Sequence, residues 1–446
     1  MKKDIKTPIP AAIVDRVLEE YQIKDLGKAT IREIVGIVND IEEQSGKKFI
    51  RMEMGVPGLE PSKVGTEAEI AALKRGVAAD YPMLDGVKEL KIETSRFVKA
   101  FMDLDIDPKG CIPTVGSMQG SYANFLVAGE LDPKKDTILF IDPGFPVQKQ
   151  QLKVLGYKYE SFDAYHYRGE KLREKLESYF REGNISTVVY SNPNNPTWIC
   201  LNEEELQIIG ELATKYDVLV FEDLAYFAMD FRKDLSRPFE APYQASVGKY
   251  TDNYVVFLSS SKSFSYAGQR TAVVCVSDKV FNRYYPNLEK RFGLGVYGKV
   301  LVGRVLYSLS SGTSHSSQYA LAAIFKAASD GKYNFLDEVK VYGERAHEMK
   351  ELFVKNGFQI VYDRDQEEPL ADGFYFTIGY PGCSGGELLE RLLYYGISAI
   401  ALNNTGSELE GLRACVSQTG KERFGELKER LEAFHAHFAY VDVSKC

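Results

Sequence analysis

Apolar and polar residues follow two different periodicities along this chain. In the opening 50 residues or so, apolar residues recur every three or four positions, which predicts amphipathic helix and short connections. From about 110 to 280, short apolar runs alternate with helical patterns. The runs are TILFI (137–141), TVVY (187–190), VLVF (218–221), YVVFL (254–258) and AVVCV (272–276). Strands that alternate with helices predict a mainly parallel sheet with helices on both faces.

One helical connection carries a clear start signal. In NEEELQIIGELATKYD (202–217), Asn202 precedes the apolar periodicity and Glu205 follows three residues later. A short polar residue with a glutamate at this spacing forms a capping box, in which each side chain bonds the other residue's backbone N–H. The pattern therefore predicts a helix that begins directly after Asn202.

Helical periodicity takes over beyond about residue 315, and the last 75 residues mix strand candidates with a closing helix. The strand candidates are FYFTIGY, GISAIAL and GLRACV, and the charged run DRDQEE (363–368) indicates a solvated loop. We expect an α/β protein: a three-layer αβα large domain with a mixed, mainly parallel sheet, and a smaller α+β domain. The predicted bounds are 66–320 for the large domain, and 1–65 with 321–446 for the small one.

Composition narrows the classes of function. The chain has 446 residues, 44% of them hydrophobic and 26% charged, which favours a globular protein over a disordered one. A net charge of −8 disfavours nucleic acid as a partner. The six cysteines have no metal-ligand spacing, and no apolar run approaches the ~20 residues that span a membrane. We expect a cytoplasmic protein with no metal site and no membrane segment.

Polar side chains gather where the predicted strands end. Four consecutive strands are followed by DPGF, SNPNNPT, EDLAY and SSSK. Because the carboxyl ends of parallel strands meet at one edge, these segments bring together Phe145, Asn195, Asp223, Tyr226 and Lys262. Arg270 instead precedes its strand, AVVCV, so it reaches the same edge only if that strand is antiparallel.

These residue types match the needs of one cofactor. Lys262 offers an amine for a Schiff base with a carbonyl, and Asp223 offers a carboxylate that keeps a pyridine nitrogen protonated. An asparagine and a tyrosine suit a ring phenolate oxygen, and an aromatic ring such as Phe145 suits stacking on the ring. Serine hydroxyls and the Arg270 fork suit a phosphate. The set predicts pyridoxal 5'-phosphate, abbreviated PLP.

A second segment predicts a phosphate-binding turn. In PTVGSMQGSYANFLVAG (113–129), a Gly-Ser turn enters an apolar-periodic helix, whose first N–H groups form an anion site. Ser117, Met118 and Gln119 are the candidate phosphate cup. Ser261 suits either a phosphate contact or ordinary turn chemistry.

In order along the chain, these motifs resemble those of the class I/II aminotransferases, the fold-type I PLP enzymes, from about Gly55 to Arg413. Ser259, Lys262 and Arg270 resemble the family's lysine motif, and Asn195-Pro196-Thr197 resembles its N-P-T motif. The segments DLAY and PGF resemble its D-x-A-Y motif and its P-x-aromatic segment, which carries the stacking ring, here Phe145.

The resemblance implies roles that the residues alone do not. YPMLDGVKEL is similar to a family element in which a tyrosine, here Tyr81, reaches the phosphate of the other subunit, so a homodimer is implied. GLRACV and MGVPG imply that Arg413 and Gly55 bind the substrate α-carboxylate, together with Asn195. Arg413 also suits a structural ion pair.

Three positions depart from the family pattern. Trp198, the sole tryptophan, stands where glycine usually follows N-P-T, and Tyr266 and Thr271 replace aliphatic residues. None of these changes removes a catalytic group. They leave the substrate side chain undetermined.

The function expected is a PLP-dependent aminotransferase that moves an amino group between an amino acid and a 2-oxo acid by a ping-pong mechanism, through a Lys262 Schiff base. Lys262, Asp223 and Tyr226 are the catalytic candidates. A β- or γ-lyase of the same fold, such as a C–S lyase or a cyclopropane-carboxylate-synthase-like enzyme, uses the same residues and stays open as the alternative. A PLP-binding regulatory protein is disfavoured, because the opening 50 residues or so are neither basic nor turn-rich enough for a DNA-binding domain.

Overall fold

The structure, a computed structural model, describes residues 7–438 and divides into two compact units. The larger unit consists of Leu59–Asn194 and Cys200–Val339. The smaller unit consists of Met1–Gly58, Asn195–Ile199 and Lys340–Cys446, as far as the structure describes these ranges. The N-P-T motif therefore lies in the smaller unit. The domain bounds expected from the sequence stay a prediction.

The two units together contain the following helices and strands. The helices are α1 Ala11–Tyr21, α2 Ile31–Ser45, α3 Lys63–Lys74, α4 Lys88–Met102, α5 Gly116–Ala128, α6 Pro146–Leu155, α7 Glu170–Phe180, α8 Glu203–Tyr216, α9 Asp278–Asn282, α10 Pro286–Phe292, α11 Tyr297–Val300, α12 Tyr307–Ser310, α13 His315–Ser329, α14 Phe335–Val339, α15 Val341–Lys355, α16 Gly385–Leu393 and α17 Phe424–Phe438. The strands are β1 Ile50–Arg51, β2 Cys111–Val115, β3 Thr137–Asp142, β4 Lys158–Asp163, β5 Ile185–Ser191, β6 Leu219–Leu224, β7 Tyr254–Ser259, β8 Thr271–Val276, β9 Gln359–Ile360, β10 Arg364–Asp365, β11 Glu368–Pro369, β12 Tyr375–Gly379, β13 Ile397–Ser398, β14 Ile400–Ala401 and β15 Leu412–Cys415.

The larger unit is built on a seven-stranded sheet in the order β2-β8-β7-β6-β5-β3-β4. Neighbouring strands from β7 to β4 are parallel, and β8 is antiparallel to both β7 and β2. Helices cover both faces, so the α/β class with a mixed, mainly parallel sheet is confirmed. The antiparallel β8 also confirms the direction that the position of Arg270 required.

The two edge strands escaped the sequence pattern. β2 has the sequence CIPTV, whose Pro113 cannot donate a backbone hydrogen bond, and β4 has the polar sequence KYESFD. Both lie at the ends of the strand order, where one side of a strand is unpaired and proline or polar residues are tolerated. An edge strand therefore lacks the continuous apolar run that marks the buried strands.

The predicted capping box at the start of α8 is present. The Asn202 side chain accepts a hydrogen bond from the backbone N–H of Glu205 at 3.0 Å, and Glu205 accepts one from the Asn202 N–H at 3.1 Å. Glu205 is fully buried and also pairs with Arg168 at 2.7 Å. The cap therefore fixes both the helix start and a buried ion pair.

One hydrophobic cluster holds α5 against the sheet. Phe125 of α5 lies 5.6 Å from Phe221 of β6, ring centroid to centroid, and Phe221 lies 5.6 Å from Phe257 of β7. All three rings are buried, and burying each contributes roughly 1.5–3 kcal/mol. This packing fixes where α5 begins relative to the ends of β6 and β7.

The smaller unit contains an antiparallel sheet in the order β14-β15-β12-β9, and β1 pairs in parallel with β13. The N-terminal segment thus belongs to this unit. The loop expected at 363–368 is only partly correct, because β10 and β11 pair there as a short hairpin. Within residues 7–438, no helix is long and apolar enough to cross a membrane.

Candidate active site

The turn that carries Lys262 follows β7 directly and is tied to its neighbours by serines. Ser259 accepts a hydrogen bond from the backbone N–H of Ser261 at 3.1 Å. The Ser260 hydroxyl donates to the Thr271 carbonyl at 2.6 Å, and the Ser263 hydroxyl donates to the Phe227 carbonyl at 2.9 Å. Lys262 itself is half-buried. The serine run therefore fixes the backbone on both sides of the lysine.

Tyr266 and Thr271, the departures near this turn, tether it to two helices. The Tyr266 hydroxyl donates to Glu69 of α3 at 2.6 Å, and burial with this carboxylate raises the pKa of Tyr266 above its usual range. The Thr271 hydroxyl donates to Ser317 of α13 at 2.5 Å. Both bonds are buried, which accounts for polar residues at normally aliphatic positions.

Arg270 meets the start of α5 at the same sheet edge. Val115 pairs with Thr271, so the chain leaves β2 beside the point where it enters β8. Gly116 has a φ of +67°, and a Cβ atom there would stand 2.4 Å from Nη2 of Arg270. Arg270 makes no ion pair with any described residue; Nη1 donates to the Ala267 carbonyl at 3.0 Å.

The three candidate residues of the phosphate cup differ in what they offer. The Ser117 hydroxyl is buried and has no hydrogen-bond partner among the described residues. The Gln119 side chain is engaged, because it accepts from the Val115 N–H and donates to the Ser310 hydroxyl, both at 2.8 Å. The Met118 carbonyl accepts from Gln151 at 2.8 Å. For binding a phosphate, Ser117 therefore has its side-chain hydroxyl available, whereas Gln119 has only its backbone N–H.

Asp223 lies near the end of β6 and is nearly buried. One carboxylate oxygen accepts from the Ala225 N–H at 3.1 Å, and the other accepts from the Gln148 amide at 3.0 Å. Burial raises the pKa of Asp223 to about 6, although both hydrogen bonds oppose the shift. A cation beside this carboxylate would lower that pKa.

Gln148 is a site residue that the sequence reasoning missed. It lies on α6, three residues after Phe145, which caps the same helix and is partly exposed. Its position in the first turn of a helix that follows a strand end was the available signal. Tyr226 follows β6 and is buried.

The smaller unit brings together the three residues that the resemblance linked to a carboxylate. Arg413 of β15 is 3% exposed; its Nη2 donates to the Glu53 carbonyl at 2.5 Å, and its Nη1 lies 3.5 Å from the Asn195 side-chain oxygen. Its Nε has no hydrogen-bond partner among the described residues, and no described acidic side chain pairs with the guanidinium. Gly55 lies two residues beyond Glu53. A structural ion pair is thus absent for Arg413 among residues 7–438.

Tyr81 stands apart from both sets. Its side chain is 90% exposed and lines a cavity of about 600 Å³ together with the segment Ser310–Ser316. Ser310 in turn accepts the Gln119 amide.

The larger unit fits the cofactor that the sequence predicts. A phosphate fits the unpartnered Ser117 hydroxyl, the Arg270 guanidinium and the N-terminus of α5, where Gly116 leaves the space that a side chain would fill. A protonated pyridine nitrogen fits the buried Asp223 carboxylate. Fold and donor set together define the class, a PLP-dependent transferase.

Comparison with known proteins makes the class specific. Residues 47–430 match the family described as Aminotransferase class I and II. The chain belongs to this family of PLP-dependent enzymes.

The relatives described here are aminotransferases, and the solved structure shares the fold of this chain. A glutamate-pyruvate aminotransferase of Escherichia coli is 30% identical over 229 residues, which is 50% of this chain and 53% of the relative. An aspartate aminotransferase of Pyrococcus horikoshii is 24% identical over 91% of this chain and 94% of the relative. The structure of an alanine aminotransferase from Pyrococcus furiosus has a TM-score of 0.72 at 20% identity, and the match covers 91% of this chain and 97% of that one. The structural likeness shows the fold.

Proposed function

We propose that this aminotransferase moves an amino group between an amino acid and a 2-oxo acid, with Lys262 as the residue that joins the cofactor. The observation that supports this most is one sheet edge of the larger unit. There the Lys262 turn follows β7, Asp223 lies near the end of the neighbouring β6, and Arg270 directly precedes the neighbouring β8 and contacts Gly116, the residue before Ser117. This edge supplies an amine, a ring-nitrogen partner and a phosphate site.

Bound PLP supplies a carbonyl carbon that reacts with primary amines and a ring that accepts electrons from the substrate α-carbon. Lys262 would hold the cofactor through its amine, and its free amine would serve as the base that takes and returns the substrate proton. Asp223 keeps the ring nitrogen protonated, and Gln148 orients Asp223 through its hydrogen bond.

Three further contacts complete the proposed cofactor site. Ser117, Ser259 and Arg270 bind the phosphate together with the backbone N–H groups of Met118 and Gln119. Phe145 stacks on the ring. Tyr226 would hold the ring oxygen; the same role expected for Asn195 from the sequence stays a prediction.

Arg413, Asn195 and Gly55 are proposed to bind the substrate α-carboxylate. A buried guanidinium with no acidic partner among the described residues supports this role, because a buried charge is costly unless an anion joins it. A bidentate carboxylate fits the guanidinium edge that the Glu53 and Asn195 contacts leave. The aminotransferase names of the relatives favour transamination over elimination.

A homodimer belongs to the proposal as well. Tyr81 makes no hydrogen bond with any residue of the described range 7–438, and its exposed ring suits a contact with a partner subunit. A cytoplasmic location stays a prediction from the sequence.

The substitution Lys262→Ala tests the proposal. We expect the purified variant to lack the visible absorption band that borohydride bleaches in the wild type, and to convert no amino donor to its oxo acid. Lys279→Ala, which changes an exposed lysine of α9, is the control and keeps both properties. A borohydride-sensitive band in Lys262→Ala would overturn the assignment of Lys262.

A further inference from the structure

An aromatic ring lies directly behind the guanidinium of Arg413. The guanidinium carbon is 4.6 Å from the ring centroid of Tyr375, and both residues are buried. Arg413 pairs with Thr377 across β15 and β12, so Tyr375, two residues earlier, lies on the same sheet face. A cation over a buried ring face is held by the ring's quadrupole. The ring therefore fixes the plane of the guanidinium.

The hydroxyl end of Tyr375 reaches the second carboxylate candidate. A Cβ atom at Gly55 would stand 2.0 Å from the Tyr375 hydroxyl oxygen, so this oxygen packs on the glycine backbone. One side chain thus contacts both Arg413 and Gly55. Tyr375 sets the distance between the guanidinium and the Gly55 backbone.

Trp198 supports Tyr375 from the edge. The two rings meet at 71° with centroids 6.3 Å apart, and Trp198 is fully buried. Its backbone has a φ of +69°, a conformation that glycine favours and that few bulky residues adopt. A Cβ atom at Gly373 would stand 1.9 Å from the indole Cε2, so a glycine at 373 makes room for the ring. The chain makes room for the tryptophan in two ways: Trp198 itself adopts a positive φ, and residue 373 is a glycine. Both favour a packing role for the indole ring.

Together these contacts form a row within the smaller unit: Gly373, Trp198, Tyr375 and Arg413. The segment 195–198 makes two contacts here: Asn195 lies against Arg413, and Trp198 lies against Tyr375. We propose that Tyr375 and Trp198 are positioning residues of the α-carboxylate site, which they serve by holding Arg413 and Gly55 in a fixed arrangement. This inference rests on the proposed role of Arg413.

The proposal has a kinetic signature that a purely structural role would not produce. Every amino acid and 2-oxo acid substrate carries the same carboxylate beside its reacting carbon. Losing the alignment of Arg413 therefore raises KM by one common factor for all substrates, whatever their side chains, and changes kcat less. A general loss of packing would lower stability without this uniform pattern.

The test compares Tyr375→Leu, which removes the ring, with Tyr375→Phe, which keeps the ring and loses the hydroxyl. Phe358→Leu is the matched control, because Phe358 is a buried aromatic of the same unit that packs on Phe353 and Phe434. We expect KM for alanine, aspartate and glutamate to rise about tenfold or more in Tyr375→Leu and to change less than about threefold in Tyr375→Phe. The control keeps the wild-type KM.

A second readout needs no turnover. Trp198 is the sole tryptophan of the chain, so intrinsic indole fluorescence reports on this row alone. We expect pyruvate, added to the cofactor-loaded protein, to change that fluorescence and to bind Tyr375→Leu about tenfold more weakly than wild type. If Tyr375→Leu does not fold, Tyr375→Phe takes its place: loss of the hydroxyl contact at Gly55 should weaken pyruvate binding by about two- to threefold, and unchanged binding would overturn the inference.

The outcomes separate this inference from the proposed function. Pyruvate binding that depends on Tyr375, in a protein that transfers no amino group, supports the inference and overturns the function. Amino transfer with unchanged KM and unchanged pyruvate binding in Tyr375→Leu overturns the inference and leaves the function intact. A rise in KM confined to one substrate also overturns it, since the contact would then concern a side chain.

Discussion

At the scale of single residues, Asp223 shows that hydrogen bonds alone do not keep a buried carboxylate ionised. Two donors contact it, and its pKa still lies near 6 because burial disfavours the charge. In the proposed site, a ring N–H⁺ beside it would supply the missing cation. The carboxylate and the protonated ring nitrogen would then stabilise each other in their charged forms.

Removing the negative charge of Asp223 should slow the reaction without preventing cofactor attachment. Asp223→Asn keeps the size of the side chain but no longer favours a protonated ring nitrogen. We expect the half-reaction with an amino donor to slow by about a hundredfold or more, while the lysine-bound absorption band persists. Stopped-flow absorption measures both, with Asp252→Asn as the control. A variant with a wild-type half-reaction rate contradicts the role proposed for Asp223.

Gly116 is a second residue whose identity the geometry requires. Its φ of +67° lies in the left-handed region, and a methyl group there would collide with Nη2 of Arg270. We expect Gly116→Ala to displace the guanidinium and to strain the backbone by about 1 kcal/mol, so that cofactor is lost faster on dialysis. Residual PLP per chain, measured after timed dialysis, checks this. Gly303→Ala is the control, since nothing lies within 4 Å of a Cβ atom there.

At the scale of elements, strand β6 carries two adjacent carboxyl groups on opposite faces of the sheet. Glu222 is fully buried; it accepts hydrogen bonds from the Tyr190 hydroxyl at 2.9 Å, from the Val247 N–H at 3.3 Å, and from the Ser246 hydroxyl. Burial nevertheless raises the pKa of Glu222 to about 7. The folded protein therefore binds this proton more tightly than the unfolded chain does.

The sign of the pH dependence follows from linkage. Between pH 4.5 and 7 the folded state retains a proton at Glu222 that the unfolded state releases, so stability falls as the pH rises through this window. The loss is on the order of 3 kcal/mol at pH 8. Burial also raises the pKa values of Asp142 and Asp223 to about 6. These two groups therefore lower stability in the same direction, at lower pH than Glu222.

Glu222→Gln isolates the contribution of Glu222. The amide oxygen can accept from Tyr190 and Val247, and the amide nitrogen can donate to Ser246, so the bonds are kept without an ionisable group. We expect the melting temperature of the variant to exceed that of the wild type by roughly 2–5 °C at pH 8 and to match it near pH 5. Scanning calorimetry at the two pH values measures this. A constant difference at both pH values would mean that packing, and not ionisation, separates the two proteins.

The positions of the buried strands, and of the polar residues that follow them, could be predicted from the sequence for physical reasons. Strands buried on both faces, such as β6 and β7, must be continuous apolar runs, so the polar residues that follow them stand out. The edge strands β2 and β4 meet no such demand and were missed. The direction of β8 was predictable from a single residue, because Arg270 precedes the strand and still had to reach the same edge.

Contacts between distant segments were not predictable in this way. Gln148 meets Asp223, and Tyr375 meets Arg413, only through the packing of α6 on the sheet and of β12 on β15. Neither residue belongs to a local pattern that marks chemistry. Trp198 stood out as a departure, but its function depended on Gly373, which lies 175 positions further along the sequence.

At the scale of the whole molecule, each unit holds its own group of proposed site residues. The larger unit holds the residues proposed for the cofactor amine, ring nitrogen and phosphate, and the smaller unit holds those proposed for the substrate carboxylate. The N-P-T segment belongs to the smaller unit by its contacts, although strand β5 of the larger unit precedes it. Within the smaller unit, the Asn195 side-chain oxygen lies 3.5 Å from Nη1 of Arg413.

The last prediction concerns a second copy of the chain. Tyr81 and Met83 are 90% and 72% exposed, which is unusual for neighbouring large side chains on a monomer. If a homodimer covers them and Tyr81 reaches the partner's phosphate site, Tyr81→Phe should keep the dimer, because the ring remains. It should nonetheless lose PLP several-fold faster, since one hydrogen bond to a charged group is removed.

Light scattering after size exclusion measures the oligomeric state of the variant, and timed dialysis measures how much PLP it retains. Tyr284→Phe, which changes another exposed tyrosine, is the matched control. A monomer that retains its full complement of PLP would exclude the role of Tyr81, because no partner would then be present to receive its hydroxyl.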